Sequence, residues 1–180
     1  MPVEIPEPWL SFLRDVDRAL SQSVEVHCLG GFVLVARWGR TLTTGDVDFI
    51  AFTAAGAVGE LLRIAGEGSE IAQRHRLHFH AVTVAEYPEA YASRLTDLTP
   101  QGFTRLRLLA FEIHDLVLAK LGRNSARDRF GVEFLARRGL LDKHILQERF
   151  ETELRPYLIN DIHHTDSLRL WLNQYFPGEP

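Results

Sequence analysis

Cysteine is almost absent from this sequence, in which Cys28 is the single example. One thiol cannot form a disulfide within the chain, and it cannot supply a cysteine cluster for zinc. Cys28 lies in an apolar stretch, and we expect it to be a small core residue rather than a reactive thiol.

Long hydrophobic runs are also missing, since none reaches the roughly 18 residues that a membrane-spanning helix needs. The N-terminal segment MPVEIPEPW lacks the basic and apolar regions of a signal peptide. We therefore expect a cytoplasmic protein without a membrane partner.

The sequence also lacks an excess of basic residues, since the net charge is −4 and the pI is near 6.1. This balance argues against a broad surface for nucleic acid. A local basic face stays open, since five arginines crowd into one short stretch: Arg123, Arg127, Arg129, Arg137 and Arg138.

What is present is enough for one well-cored domain, since 46% of the 180 residues are hydrophobic. Apolar spacing predicts a first helix ending at about residue 21. Further elements are predicted as follows: strands at 24–29, 46–52 and 77–84 and within 103–111, helices at 32–38 and 55–64, and a helical turn at 87–95. Almost everything from 114 to 176 is predicted as helix, with breaks near Asn124, Gly139 and 156–161.

The fold class predicted from this order is α+β, with a mixed half at 1–112 and an all-helical region at 113–180. The boundary between the halves has no flexible linker. We therefore expect the helical region to pack on the first half as one structural unit.

The stretch from Gly30 to Asp48 carries the clearest chemical pattern. Gly30 and Gly31 fall between a strand and a helix, where they allow a ligand to approach the backbone amides of the helix start. Asp46 and Asp48 lie two apart on the next strand, so alternation places both carboxylates on one face. Adjacent carboxylates repel unless a cation neutralises them, and a hard divalent ion shared with substrate phosphates would do so.

Each part of this pattern also has a simpler interpretation. A pair of glycines often forms only a turn, and an Asp-x-Asp pair often faces water at a strand edge. Three further candidates offer the same choice, because Arg40 and Thr44 either position phosphate oxygens or cap a turn, and Lys120 is either solvated or contacts phosphate.

Leu29-Gly30-Gly31, followed by Arg40, Thr44 and Asp46-Val47-Asp48, resembles the signature of the nucleotidyltransferase superfamily. The similarity is greatest to the small bacterial branch that includes the AbiEii-type toxins. A second stretch, from His114 through Lys120 to Arg127-Asp128, is similar to the helical region that follows the sheet in that branch. The resemblance implies a nucleotidyltransferase-like mixed sheet with helices.

The same resemblance implies roles for individual residues. Asp46 and Asp48 would hold Mg²⁺ or Mn²⁺ and act in catalysis together with Lys120. Gly30, Gly31, Arg40, Thr44 and Lys120 would contact the nucleotide. The function implied is transfer of a nucleotidyl group from a nucleoside triphosphate to an acceptor hydroxyl on tRNA or a protein, with an antitoxin-like protein as a further partner.

Two departures from the family pattern leave alternatives open. The strand that should supply a third carboxylate instead carries His78 and His80 on one face, and an acid expected later in the chain is replaced by Gly131. His80 is accordingly a candidate metal ligand, which would favour Mn²⁺. The first alternative is a module that binds nucleotide or docks a partner without catalysis. The second is a metal-dependent hydrolase that uses Asp46, Asp48 and His80.

Overall fold

A computed structural model describes residues 5–40, 45–51 and 53–178 of the chain. These residues form two compact units. The first unit runs to Thr83 and includes Leu95–Phe111, and the second consists of Val84–Arg94 and the chain from Glu112 onward. The division of the chain into domains near residue 112 stays a prediction.

A five-stranded mixed sheet forms the centre of the first unit, with strand order β3-β2-β1-β5-β4. The strands are β1 Val24–Leu29, β2 Asp46–Ala51, β3 His78–Ala81, β4 Thr96–Asp97 and β5 Leu106–Ala110. β1 is antiparallel to β2 and parallel to β5, β2 is parallel to β3, and β4 is antiparallel to β5. The structure therefore confirms the predicted mixed sheet.

The two faces of the sheet differ sharply at β2. Val47 and Phe49 are buried, whereas Asp46 and Asp48 lie on the other face and are half-buried. Phe79 of β3 contacts Phe49 at a centroid distance of 5.8 Å and the helical residue Phe12 at 5.6 Å. The period of two along the strand thus assigns one face to an aromatic core and the other to carboxylates.

Four helices belong to the first unit: α1 Trp9–Ala19, α2 Gly31–Trp38, α3 Ala55–Ala65 and α4 Glu70–His75. α1 buries Phe12, Leu13 and Val16, which follow the predicted helical spacing. The sequence did not indicate α4, which has only six residues. Ser69 caps α4 by accepting a hydrogen bond from the amide of Ala72.

A buried carboxylate on α1 organises the chain before β5. Asp17 accepts hydrogen bonds from the backbone amides of Arg105 and Leu106, both at 2.8 Å, and from that of Thr104 at 3.1 Å. The Asp17 residue is only 6% exposed. Three backbone donors are therefore satisfied by one side chain.

The second unit is helical, as predicted for this part of the chain. It contains α5 Ile113–Leu118, α6 Ala126–Arg137, α7 Lys143–Arg149, α8 Ile162–Tyr175, a π-helical turn Phe150–Leu154 and 3₁₀ turns Glu89–Arg94 and Arg155–Tyr157. The breaks predicted near Asn124 and Gly139 are confirmed, and both residues have positive φ angles, of 42° and 64°. None of the described helices is long and apolar enough to span a membrane.

A network of ion pairs holds the second unit together. Arg94 donates to both oxygens of Asp115, at 2.8 and 3.0 Å, and to Glu153 at 2.6 Å. Arg149 also donates to Asp115, at 3.0 Å. Because Asp115 is fully buried, these cations supply the charge compensation that its carboxylate needs.

Candidate functional site

Asp46 and Asp48 stand at the start of β2, on the face of the sheet opposite the aromatic core. The register pairs Asp48 with Leu29, the last residue of β1, so the carboxylate lies where the chain turns into α2. The predicted placement of both aspartates on one strand face is therefore confirmed. Their metal-binding role stays a prediction.

Gly30 makes room for the Asp48 carboxylate. A Cβ atom at Gly30 would overlap Asp48 Oδ2 and would lie 3.1 Å from both Cβ and Cγ of that side chain. The backbone of Gly30 has φ 86° and ψ −156°, a region that is essentially restricted to glycine. Two independent constraints, space and backbone conformation, therefore require glycine here. The sequence indicated a turn and a close approach to the backbone, but not that Asp48 is the group that approaches.

Gly31 is the first residue of α2, and Gly30 is its N-cap. Because Gly30 has no side chain, it offers no side-chain cap to the amides that open the helix. Those amides and the helix dipole favour a nearby anion. The contact of Gly30 and Gly31 with nucleotide phosphates stays a prediction.

His80 lies beside Asp48 on the neighbouring strand. The parallel register pairs Asp46 with His78 and Asp48 with His80, which confirms the predicted adjacency. His80 Nδ1 lies 2.9 Å from Asp48 Oδ1. The His80 side chain is 60% exposed and that of Asp48 is 16% exposed.

A metal site built from three protein ligands is not formed by the described residues, since no group of three or more His, Cys, Asp and Glu side chains could hold an ion. Two carboxylates on one face nevertheless suit Mg²⁺, which takes one or two carboxylates together with substrate phosphates. Asp46 and Asp48 therefore fit a shared, nucleotide-dependent ion better than a closed protein site.

The remaining nucleotide-binding candidates of the first unit lie between α2 and β2. Arg40 follows Gly39, which ends α2 in a left-handed conformation with φ 63°. Arg40 is half-buried, and burial lowers the pKa of its guanidinium. Thr44 lies outside the described residues. The phosphate contacts of Arg40 and Thr44 stay predictions.

Lys120, the candidate in the second unit, is buried, with 9% of its side chain exposed. Its Nζ lies 3.2 Å from Asp128 Oδ1, and Arg123 donates two further hydrogen bonds to the same carboxylate, both at 2.7 Å. Burial acts to raise the pKa of Asp128, but the hydrogen bonds from Arg123 and the charge of Lys120 outweigh it and lower the pKa. Contact of Lys120 with nucleotide stays a prediction.

Asp128 is a residue whose importance the sequence only partly indicated. With Ser125 it forms a capping box at the start of α6, in which each side chain accepts the other residue's amide. The Ser-x-x-Asp spacing is the sequence signal for this cap. The additional role of Asp128 as the partner of Lys120 has no local signature.

A comparison with curated proteins gave no match. Among solved structures, the chain resembles one described as "putative nucleotidyltransferase from H. pylori", with 11% identity over 95% of this chain and 96% of that chain. The TM-score is 0.38, and this likeness carries no argument about function. A family model described as "Nucleotidyltransferase of unknown function (DUF6036)" matches residues 13–176. Because this match spans most of the chain, the protein belongs to that nucleotidyltransferase family.

Proposed function

We propose that the protein is a metal-dependent nucleotidyltransferase that binds a nucleoside triphosphate at the Asp46–Asp48 face of β2. The observation that supports this proposal best is the close fit of the Asp48 carboxylate against Gly30, at the first turn of α2. Family membership adds a nucleotide as the substrate class. The proposed site combines a pair of carboxylates with a helix start suited to phosphate.

Each residue group has a distinct task in this proposal. Asp46 and Asp48 hold Mg²⁺ or Mn²⁺, and the amides at the start of α2 bind phosphate oxygens. Arg40 offsets phosphate charge. The bound ion would stabilise the charge that develops on the phosphates. Phosphoryl transfer depends mainly on such positioning and charge neutralisation.

The reaction joins the acceptor hydroxyl to the nucleotide. The hydroxyl oxygen forms a bond to the α-phosphorus, the bond to the bridging oxygen breaks, and pyrophosphate leaves while the hydroxyl proton passes to solvent. Because the chain resembles the AbiEii-type branch, we propose tRNA or a protein as the acceptor and an antitoxin-like protein as a partner. This finer assignment rests on analogy between folds.

A non-catalytic nucleotide-binding module is the second candidate. It is favoured by His80, which lies on the strand expected to supply the third carboxylate and whose Nδ1 lies 2.9 Å from Asp48 Oδ1. In that case the pair of aspartates would retain nucleotide without turning it over.

The deciding experiment incubates the pure protein with each of four α-³²P-labelled triphosphates, Mg²⁺ or Mn²⁺, and total tRNA. We expect label to be transferred to tRNA or to protein, and we expect Asp46→Asn and Asp48→Asn to abolish the transfer. Asp166→Asn is a matched control, because this exposed carboxylate on α8 pairs with Arg169.

Transfer that persists in both aspartate variants would refute the assignment of the site. Binding of nucleotide without transfer, lost in Asp46→Asn and Asp48→Asn and kept in Asp166→Asn, would support the module instead.

A further inference from the structure

We propose that His80 is a positioning residue that holds Asp48 in its metal-binding orientation and is not itself a metal ligand. This inference rests on the proposed function, because it concerns the same pair of carboxylates. It replaces the interpretation of His80 as a substitute for the missing third acid.

The direction of the hydrogen bond follows from the chemistry of the two groups. His80 Nδ1 lies 2.9 Å from Asp48 Oδ1, and an ionised carboxylate can only accept. The proton therefore lies on Nδ1, and His80 is the donor. Because an ionised acceptor strengthens and shortens such a bond, this contact is a firm restraint on the carboxylate.

The backbone on both sides of this pair is held by the sheet. Besides the pairing of Asp48 with His80 in the parallel register, the amide of His78 donates to the carbonyl of Gly45 at 2.8 Å. The amide of Val82 donates to the carbonyl of Phe49 at 2.8 Å. His80 thus projects from a strand anchored at both ends, as positioning requires.

Both oxygens of Asp48 are restrained before any ion arrives. Oδ1 accepts the hydrogen bond from His80, and Oδ2 occupies the space left by the absent side chain of Gly30. A carboxylate has about four lone-pair sites, so one hydrogen bond leaves room for a metal ion. The restraint therefore orients Asp48 without blocking it.

The same geometry argues against His80 as a ligand of the ion held by Asp48. Nδ1 faces Oδ1 at 2.9 Å, so it could bind that ion only by giving up its proton and its contact with the carboxylate. An ion bound at Nε2 would lie on the far side of the ring, beyond the ~2 Å reach of the carboxylates. A histidine that donates a hydrogen bond to a metal-binding carboxylate orients that carboxylate, and its loss typically weakens metal binding.

Three variants separate positioning from ligation. His80→Asn retains an amide donor close to the place of Nδ1, whereas His80→Ala removes the donor. His78→Ala is the matched control on the same strand face. The probe is Mn²⁺ titrated in the presence of each α,β-methylene triphosphate analogue, with free Mn²⁺ followed by electron paramagnetic resonance.

We expect His80→Ala to weaken Mn²⁺ binding by roughly 10–100-fold. We expect His80→Asn to restore most of the affinity and His78→Ala to leave it unchanged. The bound Mn²⁺ should show no ¹⁴N coupling from a coordinated imidazole. In the metal-free protein, ¹H–¹⁵N correlation spectra should report the Nδ1–H tautomer of His80.

Coupling to ¹⁴N that disappears in both His80 variants would identify a ligand and overturn the inference. Unchanged affinity in His80→Ala, an equal loss in His78→Ala, or an Nε2–H tautomer would also overturn it while leaving the proposed function intact. A wild-type protein that binds no Mn²⁺ with any analogue would overturn the inference and the proposed function together.

Discussion

Replacing Gly30 with alanine should destabilise the first unit through two separate effects. The φ of 86° and ψ of −156° cost a residue with a Cβ atom about 1–3 kcal/mol. The new methyl group would also overlap Asp48 Oδ2, so the carboxylate must shift, which disturbs the hydrogen bond between His80 and Oδ1. Because His80 is 60% exposed, loss of its hydrogen bond to Asp48 costs only a further ~0.2–1 kcal/mol.

The free energy of unfolding should therefore fall by about 3 kcal/mol in Gly30→Ala. Since domains are stable by only ~5–15 kcal/mol, the variant should still fold but unfold at a much lower urea concentration. Fluorescence is a suitable probe of this transition, because Trp9 and Trp38 both lie in the first unit.

Two other glycines provide matched controls. Gly39 has φ 63° but nothing within 4 Å of the position that a methyl group would take. Gly39→Ala should therefore lower the free energy of unfolding by only ~1–2 kcal/mol, the cost of the backbone strain. Gly59 lies inside α3 with open space around it, and Gly59→Ala should gain about 0.5–1 kcal/mol. A free energy of unfolding for Gly30→Ala within about 0.5 kcal/mol of the wild-type value would refute the close approach of Asp48. Equal losses of stability in Gly30→Ala and Gly39→Ala would refute the role of the overlap.

Three further predictions concern buried or half-buried groups. Asp17→Ala should lower the free energy of unfolding by about 3 kcal/mol, because three backbone amides lose their acceptor; an unchanged urea midpoint would contradict this. Although burial raises the pKa of Glu112, hydrogen bonds from His114 and Arg149 lower it from 4.5 to about 2. Glu112 should therefore contribute on the order of 3 kcal/mol of stability above pH 4.5, and this contribution is lost as the pH falls to about 2. The difference in urea midpoint between wild type and Glu112→Gln should shrink across that range. Burial raises the pKa of the Cys28 thiol, so thiol reagents at pH 8 should label it only in denaturant, and rapid labelling of the native protein would contradict its burial.

Local patterns predicted the elements that carry the site. β1 has the predicted bounds Val24–Leu29, and the period of two at Asp46 and Asp48 placed both carboxylates on one face. These predictions succeeded because strand alternation and glycine turns are properties of neighbouring residues. Alternation also placed His78 and His80 on one face, whereas the adjacency of His80 to Asp48 was implied by the resemblance to the nucleotidyltransferase pattern.

Features that depend on distant residues were not predicted. β4 is the two-residue segment Thr96–Asp97, which is a strand only because β5 pairs with it. The space that Gly30 leaves for Asp48 and the pairing of Lys120 with Asp128 likewise bring together side chains that no local rule connects. Sequence periodicity carries no information on such contacts.

The route of the chain has a consequence for how the protein can be divided. Val84–Arg94 belongs to the second unit, although the residues before and after it belong to the first. A shortened chain that stops at Phe111 would retain Arg94 but lose Asp115 and Glu153, the two acids that its guanidinium binds. The sheet and the helical unit are therefore interleaved along the sequence, and separating them requires rejoining the chain from Thr83 to Leu95 rather than a single cut.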